Sequence, residues 1–485
     1  MNFMMNETLH GFCSTTLKRL IQKIWNFFET YQLVAFSIYF FMLNLSYPII
    51  ITWDSGHYLW LSSLIRERQW WLWDPIRNIA FPLLVHASRV IFGDNANATH
   101  FFLATSFCIT FVAIVYIVNY ALNLKSQKKV PIIYITLLTT FFIMIDPIIF
   151  GYYNTLLTEF VSSTIAVSAC LISVYVYRKV TELKRDQFIF FIGLLILLVV
   201  VSWHIKQPYV GAALFPFIIL ATVLFVNKST QKKSGIVVIG IATSILLVLL
   251  SNNLWYSFLK GQGNPLPQNR LITTFLIKNN RNRLACSSPD EAEDVSILSR
   301  YLAFANFNVL DQSQCKISLT PCLNCAAENG AIAQRAFNLQ NYSNVFFTGP
   351  YTEYTTMFVQ TDNFPSGRIN AFFINRIPIT NSMFTISFLV LPFVVIFSIL
   401  FFLRTKAILS MILVLLSGTS FANILSDVIF GILPIDRYLL YSYVLNLIIL
   451  VIILIQLSRW LLSILRHKFL AFLAKSESES KVKFH

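Results

Sequence analysis

Apolar residues fall along this chain in long blocks separated by short polar links, and the blocks predict helices of membrane-spanning length. A helix rising 1.5 Å per residue needs about 20 apolar residues to cross roughly 30 Å of hydrocarbon. Ten stretches approach that length: about 32–50, 99–123, 130–149, 156–177, 187–203, 208–226, 235–252, 383–403, 407–426 and 438–458. Two longer segments interrupt the series, 51–98 and about 253–382. In the first, Tyr58 to Glu67 and Phe81 to Phe92 have helical spacing on either side of "QWWLWDPIRN". That pattern predicts two helices lying along the membrane surface around a Pro turn. The second segment carries aromatic residues throughout ("FFTGPYTEYTTMFVQTDNFPSGR") and is long enough for a small outer domain of mixed α/β character.

The expected fold is therefore mostly α: a polytopic membrane bundle of about ten transmembrane helices. Its parts are a cytoplasmic N-terminal segment (1–31), spans 1 to 7 with the first outer loop at 51–98 (32–252), a large extracytoplasmic loop domain (253–382), spans 8 to 10 (383–458) and a polar cytoplasmic tail (459–485). Composition agrees. The 485 residues are 56% hydrophobic and 12% charged, with 45 phenylalanines, too apolar for an ordinary soluble enzyme. Lys18, Arg19 and Lys23 precede the first block, which is long and lacks a small-residue cleavage site. It reads as an uncleaved anchor.

Charge supplies an orientation. Lys125, Lys128 and Lys129, then Arg178, Lys179, Lys184 and Arg185, then Lys228, Lys232 and Lys233, then Arg404 and Lys406 fall on every second connection. The positive-inside rule puts those loops and both termini in the cytoplasm. On this topology the cytoplasmic side holds 21 Lys/Arg and 6 Asp/Glu, and the outer side with its membrane borders holds 16 of each. The net charge of +15 is thus topological and is no argument for nucleic acid as a partner. Four of the seven cysteines, Cys286, Cys315, Cys322 and Cys325, lie in the large outer loop. An oxidising compartment favours structural disulfides of unknown pairing, with a zinc site at "CLNC" as the alternative. Asn97 and Asn341 stand in N-x-[ST] sequons on the same side.

Ionisable residues gather at the outer ends of the blocks. Asp54 follows the first; Asp146 and Glu159 flank "DPIIFGYYNTLLTE"; His204 and Lys206 lie in "WHIKQPY"; Asp427, Asp436 and Arg437 lie in "SDVIFGILPIDRYLLY". Charges inside a membrane are costly and mark function. Their near absence at mid-depth argues for a site at the outer face rather than an ion pathway, with ordinary loop polarity as the plain alternative.

In order along the chain, "WDSGHY" (53–58), "IRNIAFP" (76–82), "KQP" (206–208) and "DRY" (436–438) resemble the GT-C superfamily of integral-membrane glycosyltransferases, which use polyprenyl-phosphate-linked sugars. The resemblance covers roughly 30–250 and 383–458; the large loop has no counterpart. It implies an enzyme, an inverting glycosyltransferase that moves a sugar from a polyprenyl-phosphate carrier to a polysaccharide, lipid or protein acceptor on the extracytoplasmic face. Many members carry two acids in or near the first loop; here Asp54 stands at the expected place, with Asp74 as the candidate second.

Chemistry leads to the same residues. A leaving phosphate is a weak base, so one carboxylate suffices where a glycosidase needs two. The acceptor hydroxyl needs a positioned base, for which Asp54 is the candidate. Lys206, Arg437 and Arg77 are candidates for the developing phosphate charge, with His57, Asp74, Glu159 and Asp436 in support. Each also has a structural reading. Asp54 could cap a helix starting near Ser55, Lys206 snorkel to headgroups, Arg437 pair with Asp427 or Asp436, and Glu159 answer a helix dipole. His57 could be structural; Trp70, Trp71 and Trp73 could stack on sugars or form an interfacial belt. No metal-ligand set has diagnostic spacing, although carboxylates beside a phosphate could hold Mg or Mn.

Two other readings compete. A polysaccharide polymerase or ligase is suggested by Arg77 and Gly93, an Arg and a Gly with fifteen residues between them, a pairing expected about once by chance. A lipid-linked oligosaccharide transporter or flippase would show broken helices and midplane polar residues between repeated halves, and the sequence displays neither halves nor midplane charges. No phosphate-cradling Gly-rich loop supports a nucleotide-driven pump.

Overall fold

Hydrocarbon offers no partner for a bare N–H or C=O, so a chain this apolar must satisfy its backbone within helices. The computed structural model describes residues 31–47, 49, 53–73, 77–94, 96–123, 130–227, 230–264, 368–430 and 439–482, and contains no strand among them. The helices are α1 (Tyr31–Ser46), α2 (Trp53–Glu67), α3 (Ala80–Phe92), α4 (His100–Leu122), α5 (Ile132–Thr139, continued by a π-turn over Thr140–Met144), α6 (Pro147–Tyr153), α7 (Glu159–Lys179), α8 (Arg185–Ile205), α9 (Gly211–Val226), α10 (Gln231–Gly261), α11 (Arg368–Thr405), α12 (Ile408–Phe430) and α13 (Leu440–Val482).

Seven of these are long and apolar enough to cross a membrane: α4, α7, α8, α10, α11 from Pro378, α12 and α13. The pair formed by Ile132–Met144 and α6, bent by 80°, makes an eighth if it is one span. The chain is an integral, multi-pass membrane protein. The expectation of ten full spans is corrected at α9, which has 16 residues, about 24 Å of helix, short of roughly 30 Å. A tight turn over Gln207–Val210 takes the start of the apolar run, and α9 begins only at Gly211. The first expected span, 32–50, is described as helix over Tyr31–Ser46, and the residues ahead of it lie outside the described residues. Conversely, α10 continues past its apolar run to Gly261, and α11 begins at Arg368, so helix reaches into both ends of the segment expected to be loop. The expected α/β domain falls on 265–367, outside the described residues.

α7 and α13 are the most enclosed helices, with 72% of their apolar windows buried, whereas α10 and α11 bury only 28% and 22%. Around the enclosed pair pack α4, α9 and α12. α1 lies on α4 through Phe40, whose ring meets Phe107 and Phe111 at 5.7 and 4.9 Å. Small residues allow close approach. A Cβ at Gly240 of α10 would lie 2.6 Å from Ile192 of α8 and 2.9 Å from Phe217 of α9, so those three helices meet only because that position is bare.

Polar contacts sort to the two ends of the bundle. At one end, cations close helix termini and links: Arg459 of α13 donates to the Leu122 carbonyl (3.2 Å), Lys233 donates to the carbonyls of Val180 and Leu183, and the Tyr177 hydroxyl donates to the Lys406 carbonyl (3.2 Å). The described parts of three links predicted for the cytoplasm, 178–185, 230–233 and 404–406, therefore meet at one end. At the other, the chain breaks between α5 and α6 at Asp146, which is fully buried and caps α6 by accepting from the amides of Ile148 (2.9 Å) and Ile149 (3.2 Å). Tyr443, in the first turn of α13, donates to its other oxygen at 2.9 Å. The run 130–149, expected as one span, is thus broken, and its break lies level with the start of α13.

Asp146→Ala removes a helix cap and strands the Tyr443 hydroxyl, and is expected to cost about 1–2 kcal/mol. Asp146→Asn keeps the cap through its Oδ1 and turns an N–H to the Tyr443 oxygen, which can accept it, and should lose less than the alanine variant. Thermal unfolding in detergent micelles compares the two.

Candidate functional site

The candidate residues are set by where helices begin and end. Asp54 is the second residue of α2, whose helical run opens at Trp53, so it stands inside the first turn rather than ahead of it. Ser55, fully buried beside it, donates its hydroxyl to the Leu156 carbonyl at 2.8 Å. This bond joins the head of α2 to the turn that leads into α7.

Glu159 opens α7 and is fully buried. Its carboxylate accepts from the Thr158 hydroxyl at 3.3 Å and pairs with the Lys206 ammonium at 3.7 Å. Lys206 ends α8 in an extended backbone conformation, its side chain 13% exposed, with the ammonium 5.6 Å from the centre of the Tyr209 ring. Three residues earlier, the Trp203 carbonyl accepts from the Asn78 amide, and the next residue, His204, shares a 2.7 Å hydrogen bond with Ser251 of α10. Asn78 is the neighbour of Arg77, whose guanidinium donates to the Tyr58 hydroxyl at 3.1 Å and lies over that ring at 5.2 Å. Tyr58 stands one helical turn beyond Asp54 on α2.

The contacts close a ring: the head of α2, the turn at Leu156, Glu159, Lys206, Trp203, Asn78, Arg77, and back to α2 at Tyr58. Segments spread over about 150 residues of chain meet at one end of the bundle, and Lys206 and Arg77 bring two cations to the rim where Asp54 begins its helix. Lys206 does not simply reach for headgroups, because a buried carboxylate fixes it. Glu159, expected in a supporting role or as a dipole partner, is the anchor of the ring. His57 lies on the same helix with its ring 5.4 Å from Trp60.

The tryptophans take neither expected role as a set. Trp73 is 1% exposed, donates its indole N–H to the Arg77 carbonyl at 2.9 Å, and lies edge-on to Trp255 at 5.3 Å. Trp70 meets Phe258 at 5.3 Å. Both pack against the extended end of α10, and Trp71 alone of the three is exposed. This cluster holds the turn that precedes Arg77.

Three residues escaped the sequence reading. Asn264, within "GQGNPLPQNR", donates to the carbonyls of Trp73 (2.7 Å) and Trp70 (3.3 Å) and pins the tryptophan turn. Arg376 is 8% exposed, donates to the Phe141 carbonyl at 2.6 Å and lies over that ring, beside the Asp146 cap. An arginine two residues ahead of Pro378 at the head of an apolar helix was its visible signal. Asn78 sits within "IRNIAFP" and was passed over for its neighbour.

Other candidates lie outside the described residues: Asp74, Asp436 and Arg437, the four cysteines Cys286, Cys315, Cys322 and Cys325, and Asn341. Asp427 is placed on α12 by its backbone alone. Among the described residues no three of His, Cys, Asp and Glu converge as metal ligands.

No family model matches the chain, and no curated protein matches it. Among solved structures, the archaeal oligosaccharyltransferase AglB from Archaeoglobus fulgidus, in complex with an inhibitory peptide and a dolichol-phosphate, is similar over 89% of this chain and 51% of its own, with 14% identity and a TM-score of 0.46. The chain therefore spans about half the length of that protein.

Lys206→Met leaves the Glu159 carboxylate buried without its cation and is expected to destabilise the protein by about 3 kcal/mol. The double variant Glu159→Gln with Lys206→Met removes both charges and should recover most of that loss. A double-mutant cycle in detergent-solubilised protein measures the coupling.

Proposed function

We propose that this chain is an inverting membrane glycosyltransferase that takes a sugar from a polyprenyl-phosphate carrier and passes it to a polysaccharide, lipid or protein acceptor. The observation that carries the reading is the closed ring of contacts, which brings the backbone of Asp54, the Glu159–Lys206 pair and the Arg77 loop together at one end of a membrane bundle. A sugar phosphate held in a lipid leaflet presents its anionic group at that depth. With the basic links cytoplasmic, as charge bias favours, the site faces the extracytoplasmic side.

The reaction needs two things of the protein. As the acceptor oxygen bonds to the anomeric carbon, its proton passes to the Asp54 carboxylate. As the bond from that carbon to the phosphate oxygen breaks, the departing phosphate gains negative charge, which Lys206, Arg77 and Arg437 stabilise. Lys206 acts as a point charge held in place by Glu159; the arginines offer the planar fork suited to phosphate oxygens. Attack opposite to the leaving group inverts the anomeric centre. His57, Asp74 and Asp436 are the supporting polar residues of this reading, and the segment 253–382 is the natural selector of the acceptor. The steps run through the chain's own residues, and none is routed through a metal.

Asp54→Asn keeps the size and hydrogen-bonding reach of the side chain but cannot accept the proton. Transfer should fall by at least about 100-fold with membrane insertion unchanged; full activity in this variant would sink the assignment. For the enzyme class, extracts of cells with and without the protein should differ in lipid-linked sugars. A polyprenyl-phosphate monosaccharide accumulating in its absence agrees with the proposal, whereas a long lipid-linked oligosaccharide would point to a polymerase or flippase.

A further inference from the structure

α3 lies outside the spans, yet its exposed face is apolar. Leu83, Ala87, Val90 and Ile91 are exposed at helical spacing, with Leu83 at 47%, Val90 at 69% and Ile91 at 70%. The opposite face is apolar as well: Phe81, Pro82 and Val85 are buried against the protein, with the Phe81 ring edge-on to Tyr58 at 4.6 Å. A helix in water carries polar residues on its outer side; one that is apolar all round is surrounded by apolar matter. α3 differs here from α2, whose exposed described residues are Gly56, Arg66 and Glu67.

Of the polar residues of α3, Ser88 is buried and Arg89 turns to the protein, while His86 stands half-buried beside the apolar stripe. Arg89 donates to the Leu59 carbonyl and the Ser63 hydroxyl of α2, both at 3.0 Å, and pairs with Asp94, which also takes Arg66. Its charge is therefore spent on the protein rather than on water above the helix. At the tip, the Phe92 ring packs against Phe101 at 4.5 Å, tilted by 36°. Phe101 is the second residue of the span α4 and opens its exposed apolar face, which continues through Ile109 and Tyr116. The outer stripe of α3 is thus continuous with a surface that faces lipid.

We infer that α3 is embedded in one leaflet of the bilayer, with Leu83, Ala87, Val90 and Ile91 against the acyl chains. Its 13 residues make about 20 Å of helix, too short to cross and sufficient to lie within one leaflet. α2 rests on the protein side of it. Anchored in this way, α3 sets the depth of the Arg77–Asn78 loop that precedes it, independently of the chemistry performed there.

The test places a photo-crosslinking amino acid singly at Val90, Ile91 and Glu67 of the full chain, reconstituted in phosphatidylcholine nanodiscs, and identifies adducts by mass spectrometry. Phospholipid adducts at both Val90 and Ile91, with none at Glu67, are expected. Absence of a lipid adduct at either, or adducts there to this chain or a second copy, overturns the inference. Hydroxyl-radical footprinting of the unsubstituted protein in the same nanodiscs is the second measurement. After each rate is divided by that residue's intrinsic reactivity, Val90, Ile91 and Phe92 should be protected at least tenfold relative to Trp71, and a normalised rate comparable to Trp71 overturns the proposal.

Discussion

A fully buried carboxylate is the constraint around which this end of the molecule is arranged. Glu159 has no water to solvate it, and an isolated ionised group in that position would cost several kcal/mol. The end of α8 must therefore arrive beside α7 with a cation, which requires the extended backbone at Lys206 and the tight turn into α9. That turn shortens α9. The same convergence sets the Trp203 carbonyl where the Asn78 amide reaches it, and so fixes the loop carrying Arg77.

The second consequence is a division of labour by depth. Enclosed helices supply a core that is almost wholly apolar, and the polar contacts lie at its two ends with opposite character. Where cations close helix termini, each contact satisfies carbonyls that a helix end leaves bare. At the opposite end two buried acids, Asp146 and Glu159, are held by hydroxyls, amides and Lys206, with Arg376 buried close to the first. Asp146 makes the break between α5 and α6 tolerable by capping the new helix, and that break turns the chain across the bundle toward Leu156 and the head of α2.

Much of this was legible along the chain. Hydrophobic blocks located the helices because a span must be apolar over its whole length, and the two helices of the first outer loop appeared at their expected places, Trp53–Glu67 and Ala80–Phe92. Glu159 and Lys206 were read into one plane from their position at block ends, although nothing in their spacing showed that they pair. Span count was less legible. Apolar content does not separate a helix from an apolar turn, so "KQPYVGAALF" read as the start of a span when its first part is a tight turn. The tryptophans misled for a similar reason: an aromatic at a membrane border may be counted from sequence, but whether it meets lipid, sugar or another helix depends on how far α10 extends. Asn264 carried no local pattern and Arg376 only its place ahead of Pro378, and neither showed its partner, which lies more than 190 residues away.

By itself the sequence determined that this is a helical membrane protein, which links share an end, and which acids and cations lie near one face, because hydropathy and charge act residue by residue. The tertiary structure alone decided which of them meet. Ser55 with Leu156, Glu159 with Lys206 and Arg77 with Tyr58 are contacts between distant segments, and each exists because neighbouring helices end at matching heights. It decided as well that of two similar helices α2 lies on protein and α3 turns an apolar stripe outward. Amphipathic pattern tells which residues share a face; only packing tells what the face meets.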